Sequence, residues 1–204
     1  MLGRLYLATL LVITSSSVFC GSAMSEQFGR FEGSVKVEWL DDGREMKTIS
    51  RITYIDPNGL TWTVPAGTKT DGASTPKATW PMYPPFAGKY RKAALVHDYY
   101  CEKRTRSWED VHNMFYFALR ASGMDVVNSK IMWSAVYMHG PRWVVATKRS
   151  LHIQSDELTP EQAQKQFEMM ADWVRKTNPS RREIERAIQD RTIHNMPENT
   201  QHIR

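Results

Sequence analysis

With 204 residues, 41% of them hydrophobic and 24% charged, the chain can build one domain with a real core. It contains no internal repeat or low-complexity tract, and the formal charge of +5 is dispersed. The basic runs Lys89-Tyr90-Arg91-Lys92, Lys103-Arg104-Thr105-Arg106 and Arg181-Arg182 read as solvated surface with at most weak attraction for anionic lipid or cell wall. No nucleic-acid motif accompanies them, which sets nucleic acid aside as a partner.

The N-terminus reads as a leader. Arg4 precedes a short apolar run (residues 5–13), a Ser-rich stretch and the small residues Gly21-Ser22-Ala23. We expect a secretory signal over residues 1–23, cut after Ala23, and hence a periplasmic or extracellular protein. The apolar run is too short to span a bilayer, and no transmembrane segment is expected after cleavage. A lipoprotein cysteine at Cys20 is disfavoured by the bulky Phe19 before it. Cleavage would leave Cys101 alone, so the chain cannot be a disulfide-stapled secreted domain.

From residue 28 to 65 the period is two. Val35, Val37 and Trp39 alternate with Lys36 and Glu38; Ile52 and Tyr54 flank Thr53; Leu60, Trp62 and Val64 alternate with Thr61 and Thr63. Turns fall at Asp41-Asp42-Gly43 and Asp56-Pro57-Asn58-Gly59. This predicts a three-stranded antiparallel meander with one face buried. Residues 68–85 form a polar, then Pro- and aromatic-rich loop. Helical spacing begins near Gly88, placing Tyr90, Ala94, His97 and Cys101 on one face. Ser107 with Asp110, and Asp125, mark the starts of a second and third helix, and Gly123 a C-terminal cap. Gly140-Pro141 ends the third helix, and residues 142–148 are expected to begin another turn. Thr159-Pro160-Glu161-Gln162 and Ser180 with Glu183 start two more helices, the last running to about Arg191 before a frayed tail. The expected class is α+β: an N-terminal antiparallel β-meander followed by a helical bundle (residues 28–149), with a C-terminal helical appendage (150–204).

Four residues in this frame could do chemistry. His97 and Asp98 interrupt an apolar helix, where polar side chains are costly unless satisfied. Neighbours on a helix point about 100° apart, so the two are expected to serve different partners around one site. His112 comes fifteen residues later, across one helix-turn-helix, where it can face His97. Asp71, beside Gly72 in a polar loop, is a fourth. Each has a bland alternative: a His bonded to a backbone carbonyl, Asp98 paired with Arg104 or Lys103, an Asx-turn at Asp71. Cys101 lies one turn beyond His97, where a Cys–His nucleophile is conceivable, but it reads better as a small buried thiol.

VPAGTKTDGASTPK, then AALVHDYYCEKRTRSWEDVHNMFYFAL, then KIMWSAVYMHGPRW resemble the DUF1353 family, a bacterial and phage domain of unknown function, from about residue 31 to 143. Members of that family carry Asp where this chain has His112, so the departure keeps a ligand and changes its type. The His-Asp helix is also similar, locally, to secreted calcium-dependent phospholipases. That resemblance implies His97 as the base that activates water, Asp98 as a calcium ligand, Asp71-Gly72 as the metal loop, and His112 where an orienting carboxylate is expected. Together these give one expectation: a metal-dependent hydrolase with His97 and Asp98 as its catalytic pair and Asp71, His97 and His112 as metal ligands. Zinc suits the mixed set and calcium an oxygen-only set. Its substrate would be an envelope ester or amide, in peptidoglycan or phospholipid. The competing expectation is a non-enzymatic exported module, of envelope or phage origin, whose polar cluster ties loop to helix, with His97 bonded to Asp71.

Overall fold

The computed structural model describes residues 27–41, 45–70, 88–145, 150–153 and 158–190. The expected leader with Cys20, the loop containing Asp71 and Gly72, and the C-terminal tail lie outside the described residues.

The N-terminal alternation forms antiparallel strands, but they divide between two small sheets. In the first, β1 (Arg30–Glu32), β4 (Ile52–Ile55) and β5 (Thr61–Val64) lie in the order β1-β4-β5, with Tyr54 opposite both Phe31 and Trp62. The β4–β5 turn is fixed by one carboxylate. Asp56 Oδ1 accepts from the Asn58 and Leu60 amides at 2.9 Å each, and Oδ2 from Trp62 Nε1 at 3.1 Å. Gly59 supplies the positive φ (80°) that this turn needs. The inner face carries Ile52, Tyr54, Trp62 and Val64, all buried. The second sheet pairs β2 (Val37–Trp39) with β3 (Met46–Thr48), and β3 with β6 (Lys69–Thr70). Here the expected inward stripe is corrected. β2 is an edge strand beside the central β3, and Trp39 remains 55% exposed while Met46 and Thr48 of β3 are buried.

Three helices follow: α1 (Arg91–Lys103), α2 (Trp108–Ala121) and α3 (Val126–His139). Their starts are those the caps predict. Ser107 Oγ accepts from the Asp110 amide at 3.1 Å and Asp125 Oδ1 from the Asn128 amide at 2.9 Å. Gly123, at φ 82°, closes α2 in the left-handed turn that favours glycine. α1 packs on α2, and α2 on α3. α3 is buried from Ser129 to Tyr137 without a break, because α2 covers one side and the C-terminal helices another.

Residues 142–145 are a strand, β7 (Arg142–Val145), paired with β8 (Ser150–Ile153), where a further helical turn was expected. Pro141 blocks helix continuation. Buried Trp143 then anchors the strand by donating from Nε1 to the Arg106 carbonyl at 2.7 Å. This hairpin straddles the position where the sequence suggested that the appendage begins.

α4 (Pro160–Thr177) and α5 (Arg181–Gln189) each open with a complete capping box, at Thr159/Gln162 and Ser180/Glu183. Phe167, Met170, Ala171, Val174 and Ile184 join the same core as the strands and α1–α3, so these helices are docked. Arg181 fastens them: its guanidinium lies 4.6, 4.9 and 4.8 Å from the ring centres of Tyr116, Phe117 and Trp133 and bonds Asn113. No helix among the described residues is long and apolar enough to cross a membrane.

Replacing Arg181 by Ala should cost about 2 kcal/mol or more in urea denaturation, since a desolvated cation–π contact and its packing vanish together. Arg181→Lys should recover less than half of that loss, because an ammonium cannot stack as a planar fork does.

Candidate functional site

α1 and α2 are joined by a short turn, so residues fifteen apart can meet across them. His97 Nε2 lies 2.9 Å from His112 Nδ1, and the two side chains are buried, 3% and 0% exposed. Apolar rings enclose them. Phe115 sits 4.6 Å from the His97 ring centre, and Trp108 and Trp143 meet His112 edge-on at 5.5 and 6.2 Å. The close approach of the next backbone segment depends on Gly140. A Cβ there would fall 2.2 Å from the Val136 carbonyl oxygen and 2.9 Å from His112 Nε2. The Gly-Pro-Arg-Trp end of the sequence motif is thus explained residue by residue. Gly140 makes room for His112, Pro141 ends α3, Arg142 covers Trp108 at 4.7 Å, and Trp143 forms part of the ring wall.

Two neutral imidazoles in contact share one proton: one ring nitrogen donates, the other accepts. On the outer side of the pair, His97 Nδ1 lies 3.6 Å from Asp98 Oδ1, too long for a hydrogen bond but close enough for the carboxylate to act on it. The 100° separation of helix neighbours accounts for that length. His112 Nε2 has no hydrogen-bond partner among the described residues. Burial pushes the His97 pKa well below the usual imidazole value. For His112, burial and then the neighbouring His97 push it down, with the Pro141 backbone acting the other way. Both rings are therefore neutral near pH 7, and each is competent to accept a proton.

Cys101 joins them. Its Sγ is 3.5 Å from His97 Nε2 and 3.8 Å from Nδ1. Being nearly equidistant from two nitrogens of one ring, the sulfur sits against the ring between them and not on either lone-pair axis. Burial, and then the Asp98 charge, push the thiol pKa up, so Cys101 is not an activated nucleophile here. One ligand atom each from His97, Cys101 and His112 lies within 4.8 Å of the others. This third member was set aside in the sequence as a buried thiol. The four-residue step from His97 was the signal for it.

The cluster opens on a pocket of about 320 Å³ whose walls include His97, Asp98, Cys101, Lys69, Thr70 and Pro141. His97, Asp98 and His112 thus converge. Asp71 follows directly on Thr70 in sequence but lies outside the described residues. Of the two partners expected for Asp98, Arg104 or Lys103, Lys103 instead contacts Glu102 at 2.7 Å.

Two buried histidines with depressed pKa values are proton-poor relative to the unfolded chain. Their stability contribution is complete above pH 6.5 and is lost as pH falls below it, by up to about 1.4 kcal/mol per pH unit for each ring. Denaturation midpoints should therefore drop from about pH 6.5 downward, and His112→Asn should roughly halve that slope. Gly140→Ala should destabilise by more than about 2 kcal/mol through overpacking, read in the same titrations at pH 8.

Three comparisons bear on identity. Residues 46–136 match a family model described as a protein of unknown function, DUF1353. Two proteins of Sinorhizobium fredii (strain NBRC 101917 / NGR234) are similar: the uncharacterized protein y4jT, 41% identical over 127 residues, and the uncharacterized protein y4iH, 42% identical over 95. These matches cover 61% and 44% of this chain but only 38% of each relative. No solved structure matches.

Proposed function

The chain belongs to the DUF1353 family through residues 46–136, and since that family brings no activity with it, we propose a function from the site: an exported hydrolase that cleaves an ester or amide bond of a cell-envelope component. The observation that carries this reading is the two-sided environment of His97. Its Nε2 is held at 2.9 Å by buried His112, while its Nδ1 lies beside Asp98 on the wall of the pocket. With Nε2–H donating to His112 Nδ1, the His97 Nδ1 lone pair is free to take a proton from water in the pocket. His112 fixes that tautomer and the ring's orientation, as the third group of a catalytic triad does.

A lone pair beside a carboxylate is unfavourable unless a cation sits nearby. Asp98 offers oxygen to such a cation, and the polar strand end at Thr70 forms the opposite wall. Hard oxygen donors of this kind fit calcium. When bound, such a cation would polarise the scissile carbonyl. Asp71, next in the chain after Thr70, is the further oxygen ligand we assign to this set. Phospholipid or peptidoglycan as substrate is our assignment from the leader expected over residues 1–23. Near-complete burial of both rings favours the second reading, a non-enzymatic envelope or phage-derived module in which the cluster only ties helices together.

Purified protein assayed on phospholipid vesicles and on peptidoglycan, with added calcium or zinc, separates the two. We expect His97→Asn to lower the hydrolysis rate at least about 100-fold with its circular dichroism unchanged. Absence of hydrolysis on both substrates, with His97→Asn merely lowering the melting temperature, would sink the enzyme. His112→Asp places a negative charge behind the base. It should move the acid limb of the pH–rate profile up by about 1–3 units.

A further inference from the structure

We propose that His97, Cys101 and His112 form a second cation site, one for a borderline-soft divalent ion of the zinc class, distinct from the oxygen-donor site at Asp98. Three observations carry it.

The first is metric. Tetrahedral zinc, with nitrogen about 2.0–2.1 Å and sulfur about 2.3 Å away, sets its N···S ligand separations at about 3.5–3.6 Å and N···N at about 3.3–3.4 Å. The chain places Cys101 Sγ 3.5 Å from His97 Nε2 and the two facing nitrogens 2.9 Å apart. The third separation, Cys101 Sγ to His112, is within 4.8 Å, so closing the site requires the imidazole pair to open by a few tenths of an ångström and the sulfur to swing off the His97 ring toward His112 by up to about 1.3 Å.

The second is the arrangement behind the ligands. Metal-bound histidines donate their outer N–H to a carboxylate or carbonyl. His97 Nδ1 has the Asp98 carboxylate at 3.6 Å, and His112 Nε2 is turned toward the Gly140-Pro141 backbone with no hydrogen-bond partner among the described residues. Both outer nitrogens thus face groups that favour a proton there. With both protons outward, the two inner lone pairs point at each other, and a bound cation takes both of them in place of the proton the rings otherwise share.

The third is access. His97 and Cys101 line the pocket, so an ion can enter and keep an open fourth position there. On binding, the proton of His97 moves from Nε2 to Nδ1, His112 keeps its proton on Nε2, and the Cys101 thiol gives its proton to solvent. One proton is released per ion, and the sulfur becomes the anionic ligand.

Occupation also removes the His97 Nδ1 lone pair. That silencing, unlike the binding, rests on the hydrolase reading. Zinc would then inhibit where calcium activates.

The test titrates the full purified chain with Co²⁺ and with Zn²⁺. Binding of one equivalent, a thiolate-to-cobalt charge-transfer band, its loss in Cys101→Ser, and an affinity about 10–100-fold weaker in Asp98→Asn are the expected results. Failure to bind one equivalent, binding without the charge-transfer band, or Cys101→Ser binding as tightly as the parent chain overturns the proposal. In the hydrolysis assay, zinc inhibition that Cys101→Ser relieves supports silencing. An inactive parent chain that still shows the cobalt band defeats the hydrolase and leaves the metal site standing.

Discussion

Two imidazoles held 2.9 Å apart in an apolar box constrain most of what surrounds them. Burying two such rings is costly unless their nitrogens are used, so α1 and α2 must approach at one register, the one that brings Nε2 of His97 to Nδ1 of His112. That register fixes where α3 can end. The residue that caps it, Gly140, must be a glycine because the Val136 carbonyl and the His112 ring occupy the space a Cβ would need. The chain then leaves along β7, and Trp143 reaches back to the Arg106 carbonyl in the α1–α2 connection. One polar contact thus ties three helices and a hairpin, and it does so at the floor of a pocket.

The same contact sets the chemistry available. A carboxylate behind a catalytic histidine stabilises the imidazolium. A second neutral imidazole does so much less, and burial lowers the affinity of both rings for protons further. The pair is a weak base that stays unprotonated over a wide pH range. In exchange it offers two nitrogen donors and, through Cys101, a sulfur at the same point. Nitrogen donors at positions 97 and 112 with sulfur at 101 give the cluster borderline ligand character.

Local signals carried much of this. Ser107, Asp125, Thr159 and Ser180 announced their helices through capping chemistry acting within three residues, and each caps as expected. The convergence of His97, Asp98 and His112 followed from the length of one helix-turn-helix. What was not legible is what depends on distant partners. The period of two in residues 28–65 specifies strands but not which strand pairs with which, so one meander was expected where β6, drawn from after the third strand of that meander, splits the set into two sheets. Residues 142–145 have β-branched and aromatic character, but only their pairing with β8 and the Trp143 anchor make them a strand. Cys101 looked inert because its meaning lies in the His97 ring it touches and in the His112 ring that another helix brings nearby.

The Asp56 turn has a consequence for the order in which the molecule assembles. Its three hydrogen bonds span two, four and six residues, so they close a loop with very little entropy to lose. The β4–β5 hairpin is therefore the part of the β region that can exist before the rest. Once formed, it presents Trp62 as a fixed surface. Tyr100 of α1 packs edge-on against that ring at 4.9 Å and accepts the Thr63 amide, and the Arg106 guanidinium lies 3.9 Å above it. A single carboxylate in a loop far from the pocket thus prepares the platform on which the helix bearing His97 comes to rest.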